Sequence, residues 1–281
     1  NENEYGKNEM WYVVDCEPGA FLYCGLNRKV DKDELRTRIE NNTITEVLNK
    51  IEVKPGDCVF VKAGTIHAIG AGILICEIQQ NSNSTYRMYD YDRRDRFGNS
   101  RELHIDKALD VVDTEPYVFE SYEDATSDSE YTFTDMNIPP VGEAYITASR
   151  DISLDNSTSF LETAQSVSSS DKVAEVNSDA AGTGIGTYVD KDVAVSIEGD
   201  FFRKLLVRCK YFQCEKYDVY RQTRIAVDTS SFLSIIVISG TAKISVGADS
   251  KGAKAGESFF VTAGNKTVVI DGACECVVTR I

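Results

Sequence analysis

Pro55-Gly56-Asp57-Cys58-Val59-Phe60-Val61-Lys62-Ala63-Gly64 returns later in the chain as Ala255-Gly256-Glu257-Ser258-Phe259-Phe260-Val261-Thr262-Ala263-Gly264. Five of the ten positions are identical, and Asp57/Glu257 is conservative. Each copy is a glycine turn, an acidic residue, a β-rich run and a second glycine turn. Common β-turn grammar also produces such strings. A repeat of this length across so long a separation points instead to two related β-domains.

Around the first copy, Glu9 to Val14, Cys58 to Ala63, Ile73 to Gln80 and Thr85 to Tyr91 read as strands. Asp31 is placed to cap a helix running to about Asn41, Thr45 a shorter one, and Arg101 to Val112 reads as helical. Around the second copy, Phe232 to Ile238 and Lys243 to Val246 flank Ser239-Gly240-Thr241, which reads as a hairpin turn. Ser258 to Thr262, Thr267 to Ile270 and Cys274 to Thr279 follow as strands. The double-stranded β-helix, or cupin jelly roll, uses this turn–strand–turn unit, so the expected fold is all-β with minor helices and two cupin domains. The expected division is residues 1–113 for the first, 114–200 for a Ser/Thr/Asp-rich insertion or linker, and 201–281 for the second. Within the middle region, Glu143 to Thr147 is a possible short strand, and Thr163 to Gly184 is too poor in apolar residues to build a core.

Composition narrows the function classes. A net charge of −15 disfavours nucleic acid and anionic membrane as partners, because phosphate backbones are held by clustered Lys and Arg. A small phosphorylated ligand stays possible, since one or two placed cations decide that affinity locally. No apolar run is long enough for a transmembrane helix, and the polar start lacks the pattern of an export signal. The eight cysteines include no CxxC pair, and Cys274 and Cys276 have no second ligand pair beside them, so all read as buried thiols of a cytoplasmic protein.

The two copies differ in chemistry. His67 follows the first, whereas Thr267 holds the equivalent place after the second. The chain has only two histidines, so an imidazole at a strand-end turn is a candidate metal ligand; a structural histidine is the plainer alternative. Lys7, Glu9 and Trp11 alternate onto one strand face, and so do Glu77 and Gln79, with Leu74, Cys76 and Ile78 turned the other way. A carboxylate on so apolar a strand is buried with a partner or faces a cavity. Arg87, Tyr89 and Tyr91 would share a face suited to a phosphate or an oxyanion.

These segments resemble a known family. Gly6-Lys7-Asn8-Glu9-Met10-Trp11 is similar to the GK-x-E-M-W segment of type I mannose-6-phosphate isomerases of the short bacterial form. Gly64-Thr65-Ile66-His67-Ala68-Ile69-Gly70, Glu77-Ile78-Gln79-Gln80-Asn81-Ser82, Thr85-Tyr86-Arg87, Tyr89-Asp90-Tyr91-Asp92-Arg93 and Arg101-Glu102-Leu103-His104-Ile105 resemble its metal and active-site signature. The likeness is continuous over about residues 5–113 and only general over 201–281. It implies zinc-dependent interconversion of mannose 6-phosphate and fructose 6-phosphate through a cis-enediol. One zinc per complete protein would be held by Gln, His, Glu and His. Here the Glu would be Glu9 and the second His would be His67.

The family's Gln-x-His-Pro segment does not occur in the chain, which also has no initiator Met. The expectation is therefore an N-terminally truncated isomerase, inactive alone, with half a metal site. Lys62 departs from the family's usual Pro, and His104 reads as a helix residue rather than a substitute ligand. The resemblance implies Arg87 as enediolate stabiliser, Glu77 as candidate proton carrier and Lys7 as hydroxyl holder or proton-transfer aid. Which group is the base stays open. A non-catalytic sugar-phosphate-binding cupin is the alternative. The expected partner is a small sugar phosphate, and a monomer is the expected state.

Overall fold

The repeated turn is built the same way twice. In the computed structural model, which describes residues 6–118, 146–149 and 200–281, Gly56 and Gly256 both take left-handed φ, 93° and 82°. That conformation costs a Cβ-free residue nothing and marks the third position of a type II turn. Asp57 accepts a hydrogen bond from Lys54 N at 2.9 Å, and Glu257 accepts one from Lys254 N at 3.2 Å. Gly56 N donates to Val13 O at 2.8 Å, and Gly256 N donates to Val237 O at 2.9 Å. The shared string therefore encodes a shared backbone.

In the first unit the strands are β1 (Glu9–Cys16), β2 (Phe21–Leu26), β3 (Leu48–Glu52), β4 (Cys58–Val61), β5 (His67–Ile69) and β6 (Ile73–Gln79). They form two antiparallel sheets, β4-β1-β6 and β3-β2-β5. Trp11, Val13, Leu22, Cys24, Ile51 and Val59 fill the space between them. Helix α1 (Lys32–Glu40), a 3₁₀ turn (Ile44–Val47) and helix α2 (Ile105–Val111) make a second small core with Met88. Asp31 caps α1 by accepting from Glu34 N at 2.7 Å, as its position predicts.

The second unit adds β7 (Ile146–Ser149), β8 (Phe201–Arg208), β9 (Gln213–Val219), β10 (Gln222–Val227), β11 (Leu233–Val246), β12 (Asp249–Lys254), β13 (Ser258–Val261), β14 (Lys266–Asp271) and β15 (Cys274–Arg280). One end of β11 pairs with β13 and β15, the other with β12 and β14.

Registers fix the correspondence between units. Val61 lies opposite Glu9 as Val261 lies opposite Leu233; Trp11 faces Val59 and Glu77 as Ile235 faces Phe259 and Val278. The ladder shifts between Val13 and Asp15 in β1, and again at the matching place, between Val237 and Ser239 in β11. So β1 and β2 match the two halves of β11, and β3 to β6 match β12 to β15. The fold is all-β with minor helices, and both units have the curled sheets of a cupin jelly roll.

The units meet through the outer face of β1. Met10 and Tyr12 pack with Cys76 against Leu206, Val207, Phe212, Cys214 and Val277. Period-two alternation thus divides β1: odd positions face the first unit's interior and even ones the second unit.

Several expectations are corrected. Ser239-Gly240-Thr241 is not a hairpin turn; β11 runs through it, with Gly240 at φ 75° beside the bulge, and a Cβ there would lie 2.3 Å from Ala273 O. Thr85 to Tyr91 forms no strand. Its backbone bonds locally instead: His104 N donates to Arg87 O at 2.7 Å, and Tyr91 and Asp92 turn to φ 55° and 49°. The helix expected from Arg101 starts only at Ile105, with His104 at its cap position, and the short helix near Thr45 is the 3₁₀ turn, with Thr43 before it. Of the possible strand Glu143 to Thr147, the described part belongs to β7; Thr163 to Gly184 lies outside the described residues. Among the described residues no helix is long and apolar enough to cross a membrane.

Candidate active site

Glu9 opens β1 on its inner face and is 1% exposed. A carboxylate so buried needs partners. Lys7, two residues earlier on the same face, brings Nζ to 2.6 Å from Glu9 Oε1 and donates to Gln79 Oε1 at 2.7 Å. The two charges form a close ion pair, almost wholly withdrawn from solvent on the Glu9 side. Gln79 sits opposite Glu9 across the β1–β6 ladder. Asn8, between them in sequence, ties three strand ends together, with Nδ2 donating to Gln80 Oε1 at 2.6 Å and Oδ1 accepting from Ala63 N at 3.1 Å.

His67 comes from the facing sheet, where β5 pairs with β2. Its Nδ1 lies 2.7 Å from Thr65 O. A carbonyl only accepts, so Nδ1 carries the proton, and in the neutral ring Nε2 keeps its lone pair. Nε2 faces Glu9 Oε2 at 3.8 Å. Trp11 braces the imidazole edge-on, with centroids 5.2 Å apart and planes at 73°. Glu77, opposite Trp11 in the ladder, has its pKa raised, first by burial and then by the neighbouring Glu9 carboxylate, with Lys7 opposing. Its outer part keeps contact with solvent. The site is thus a close ion pair and a carboxyl whose pKa is raised, on one sheet, met by an oriented imidazole from the facing sheet.

Two atoms here suit a metal ion, Glu9 Oε2 and His67 Nε2. The Thr65 carbonyl holds the ring as an outer partner does in metal sites. The donor chemistry fits as two ligands of a site. Among the described residues no group of three or more His, Cys, Asp or Glu side chains gathers closely enough to hold an ion.

The structure brings together Lys7, Glu9, His67 and Glu77. Arg87 sits on the irregular segment after β6, where Nη1 donates to Glu102 O at 3.2 Å and its backbone N donates to His104 Nδ1 at 3.3 Å. Among the described residues no hydrogen bond or ion pair links Arg87 to those four. Sequence reading placed Gln79 and Trp11 on the right face but gave them no task, and it missed Asn8, Gln80 and the Thr65 carbonyl. Alternation carries the first two; a backbone carbonyl two residues before a histidine leaves no sequence signal. The cysteines are free thiols; Cys24, Cys76, Cys214, Cys274 and Cys276 are buried, as read, but Cys16, Cys58 and Cys209 are only half-buried, and burial pushes Cys76 and Cys214 up to about 12.

Among the described residues, one unit carries an acid–imidazole cluster around the buried Glu9 and the other does not, which gives a two-domain cupin fold with one candidate site. Comparison with known proteins shows what the chain is similar to. Residues 203–281 match the model of the mannose-6-phosphate isomerase cupin domain. The mannose-6-phosphate isomerase ManA of Bacillus subtilis is 50% identical over 110 residues, 39% of this chain and 35% of that protein. The mannose-6-phosphate isomerase of Streptococcus mutans is 47% identical over 112 residues, 40% of this chain and 35% of that protein. Each aligned stretch therefore spans about a third of the curated relative's length. The solved mannose 6-phosphate isomerase from Bacillus subtilis superposes with a TM-score of 0.63 at 27% identity, covering 100% of this chain and 66% of that one. The chain is thus similar to mannose-6-phosphate isomerases over the family model's residues 203–281 and over the 110 or so residues aligned with each curated relative. The family model falls on the C-terminal unit, where the sequence motifs were least particular.

Proposed function

We propose that this chain carries the core of an aldose–ketose isomerase site for mannose 6-phosphate and fructose 6-phosphate, in a cytoplasmic protein. One observation carries the reading: Lys7, Glu9 and Glu77 line one inner wall of the first barrel, and His67 meets Glu9 from the facing sheet. Glu9 and His67 would hold a zinc ion through Oε2 and Nε2. When bound, zinc supplies polarisation of the sugar's carbonyl oxygen.

The chain's own residues do the rest. Isomerisation moves one proton from C2 of the aldose to C1, while the C1 oxygen gains a proton and the C2 hydroxyl loses one, through a cis-enediol. Glu77 is the candidate carrier of the carbon-bound proton, because burial and the Glu9 charge raise its pKa. Lys7, held by Gln79 and Glu9, offers an ammonium to a substrate hydroxyl. Arg87 is assigned to the developing oxyanion. Arg87→Ala should then lower kcat far more than it raises KM in a catalytically complete protein, and a pure KM effect would move Arg87 to phosphate binding.

The presence of only two converging metal donors among the described residues favours a second reading for this chain by itself, sugar-phosphate binding without turnover. Both readings require mannose 6-phosphate to bind. Calorimetry should show saturable binding, and proton NMR in D₂O with added zinc should show little exchange at C2. Failure to bind sinks both readings. Exchange at the rate of a complete isomerase sinks the second.

A further inference from the structure

Gln79 ends β6 on the site's inner wall, opposite Glu9 across the ladder with β1. Glu9 is 1% exposed, whereas Gln79 is open to solvent. Lys7 joins the two: its Nζ donates to Gln79 Oε1 at 2.7 Å and lies 2.6 Å from Glu9 Oε1. The neighbouring amide is engaged differently. Gln80 Oε1 accepts from Asn8 N at 2.9 Å and from Asn8 Nδ2 at 2.6 Å, so that side chain staples two strand ends. Gln79 makes no such staple. Among the described residues its side chain has a single bond, and that bond goes to a side chain of the site.

That bond fixes which way the amide faces. An ammonium only donates, so the Gln79 oxygen must be turned toward Lys7. Nε2 with its two hydrogens is then turned away from Lys7, and among the described residues it meets no acceptor. The orientation is set without a ligand, and the donors are the part left over. The amide N–H and the ammonium beside it both donate, so the group that fits them is an oxygen that accepts. Because Lys7 already orders the side chain, little rotamer freedom is lost when a ligand takes those donors.

We propose that Gln79 is a ligand-binding residue whose amide N–H donates to an oxygen of the sugar phosphate while its own oxygen steadies Lys7. This rests on the sugar-phosphate reading and deepens it by naming a residue that touches the ligand. A sugar hydroxyl and a phosphate oxygen both accept such a bond, and titration with each part of the ligand tells them apart.

In the ¹H–¹⁵N spectrum the side-chain amide pair of Gln79 is the pair missing from Gln79→Leu. Mannose 6-phosphate, mannose and inorganic phosphate are titrated against the full chain by NMR. Calorimetry then measures mannose 6-phosphate binding in wild type, Gln79→Leu and Gln79→Glu. The expected result is that mannose 6-phosphate moves the amide pair and that each variant weakens its binding by at least about tenfold, the worth of one hydrogen bond. A shift with mannose supports the proposal through a hydroxyl, and a shift with phosphate alone supports it through the phosphate. Binding heat with a stationary amide pair, or an unchanged affinity in Gln79→Leu, overturns the proposal and leaves the sugar-phosphate reading intact. Wild-type affinity in Gln79→Glu, which keeps an acceptor for Lys7 and lacks the donors, also overturns it, because the side chain then acts through Lys7 alone. Absence of any sugar binding overturns proposal and reading together. Should Gln79→Leu not fold, Gln79→Glu identifies the amide pair and the wild-type signal decides.

Discussion

The two barrels share a backbone and differ at the few positions that could do chemistry. Where the first has Glu9, Trp11, Glu77 and His67, the second has Leu233, Ile235, Val278 and Thr267. Leu233, Ile235 and Val278 are each at most 1% exposed and belong to one continuous apolar core. The first barrel instead divides its interior between an apolar floor and a charged wall. A cupin interior thus tolerates a site only where each charge brings its partner. Lys7 partners Glu9, and Thr65 orients His67; the second barrel has Ser231 and Asn265 at the corresponding places. The second barrel instead supports the strand on which the first mounts its site. Met10 and Tyr12 alternate with Glu9 and Trp11 and are buried against it.

That division can be broken most sharply at the metal donors. Zinc binding, weak with two donors, should fall to background in His67→Ala and stay unchanged in Thr267→Ala, as followed by calorimetry. Equal losses in both would end the distinction between a functional and a blank barrel.

Exchanging the wall residue tests it next. Leu233→Glu puts a carboxylate into a dry core with no cation placed for it, and should cost about 3–5 kcal/mol in urea unfolding or prevent folding. Replacing both partners, Lys7→Met with Glu9→Leu, removes the pair together and should change stability by no more than about 1 kcal/mol, because buried ion pairs contribute little over apolar packing. A large loss in this double variant would show that the pair holds the fold rather than the site.

The repeat supplies a smaller, matched test. Phe60 and Phe260 occupy equivalent positions, but Phe60 packs against Phe212 at the seam between the units, whereas Phe260 is 41% exposed beside Phe232. Phe60→Ala should cost about 3 kcal/mol and Phe260→Ala about 1 kcal/mol. Similar costs would mean that the seam contributes no more than an open surface.

The smallest effect concerns charge outside either barrel. Asp90 is buried beneath Arg101 and Arg93, which hold its carboxyl down to about 2. The folded pKa lies below the unfolded value of about 3.9. Its stabilisation is therefore complete above about pH 4 and is lost as pH falls toward 2. The melting temperature of the wild type should exceed that of Asp90→Asn at pH 5 and converge with it near pH 2. A gap that does not close would place the stabilisation in packing rather than charge.

Much of this was legible because period-two alternation and turn chemistry are local. The faces of β1 and β6, the Asp31 cap and the paired glycine turns all follow from a few neighbouring residues. What escaped depends on distant chain. Residues 85–91 alternate correctly for a strand, but no ladder partner reaches them, and their bonds go to His104 and Asp90's arginines instead. Ser239-Gly240-Thr241 carries turn residues, yet the two sheets it passes between keep β11 continuous. β9 and β10 mix charged and apolar residues and show themselves as strands only through their partners β15 and β14.

Those partners expose a last asymmetry. In the second barrel β9 and β10 complete the hydrogen bonding of β15 and β14; the matching strands β6 and β5 pair on one side only among the described residues. Their outer N–H and C=O groups, with Leu74 39% and Ile69 41% exposed alongside, have no ladder partner among the described residues. An edge of this kind is where a further strand would continue the sheet.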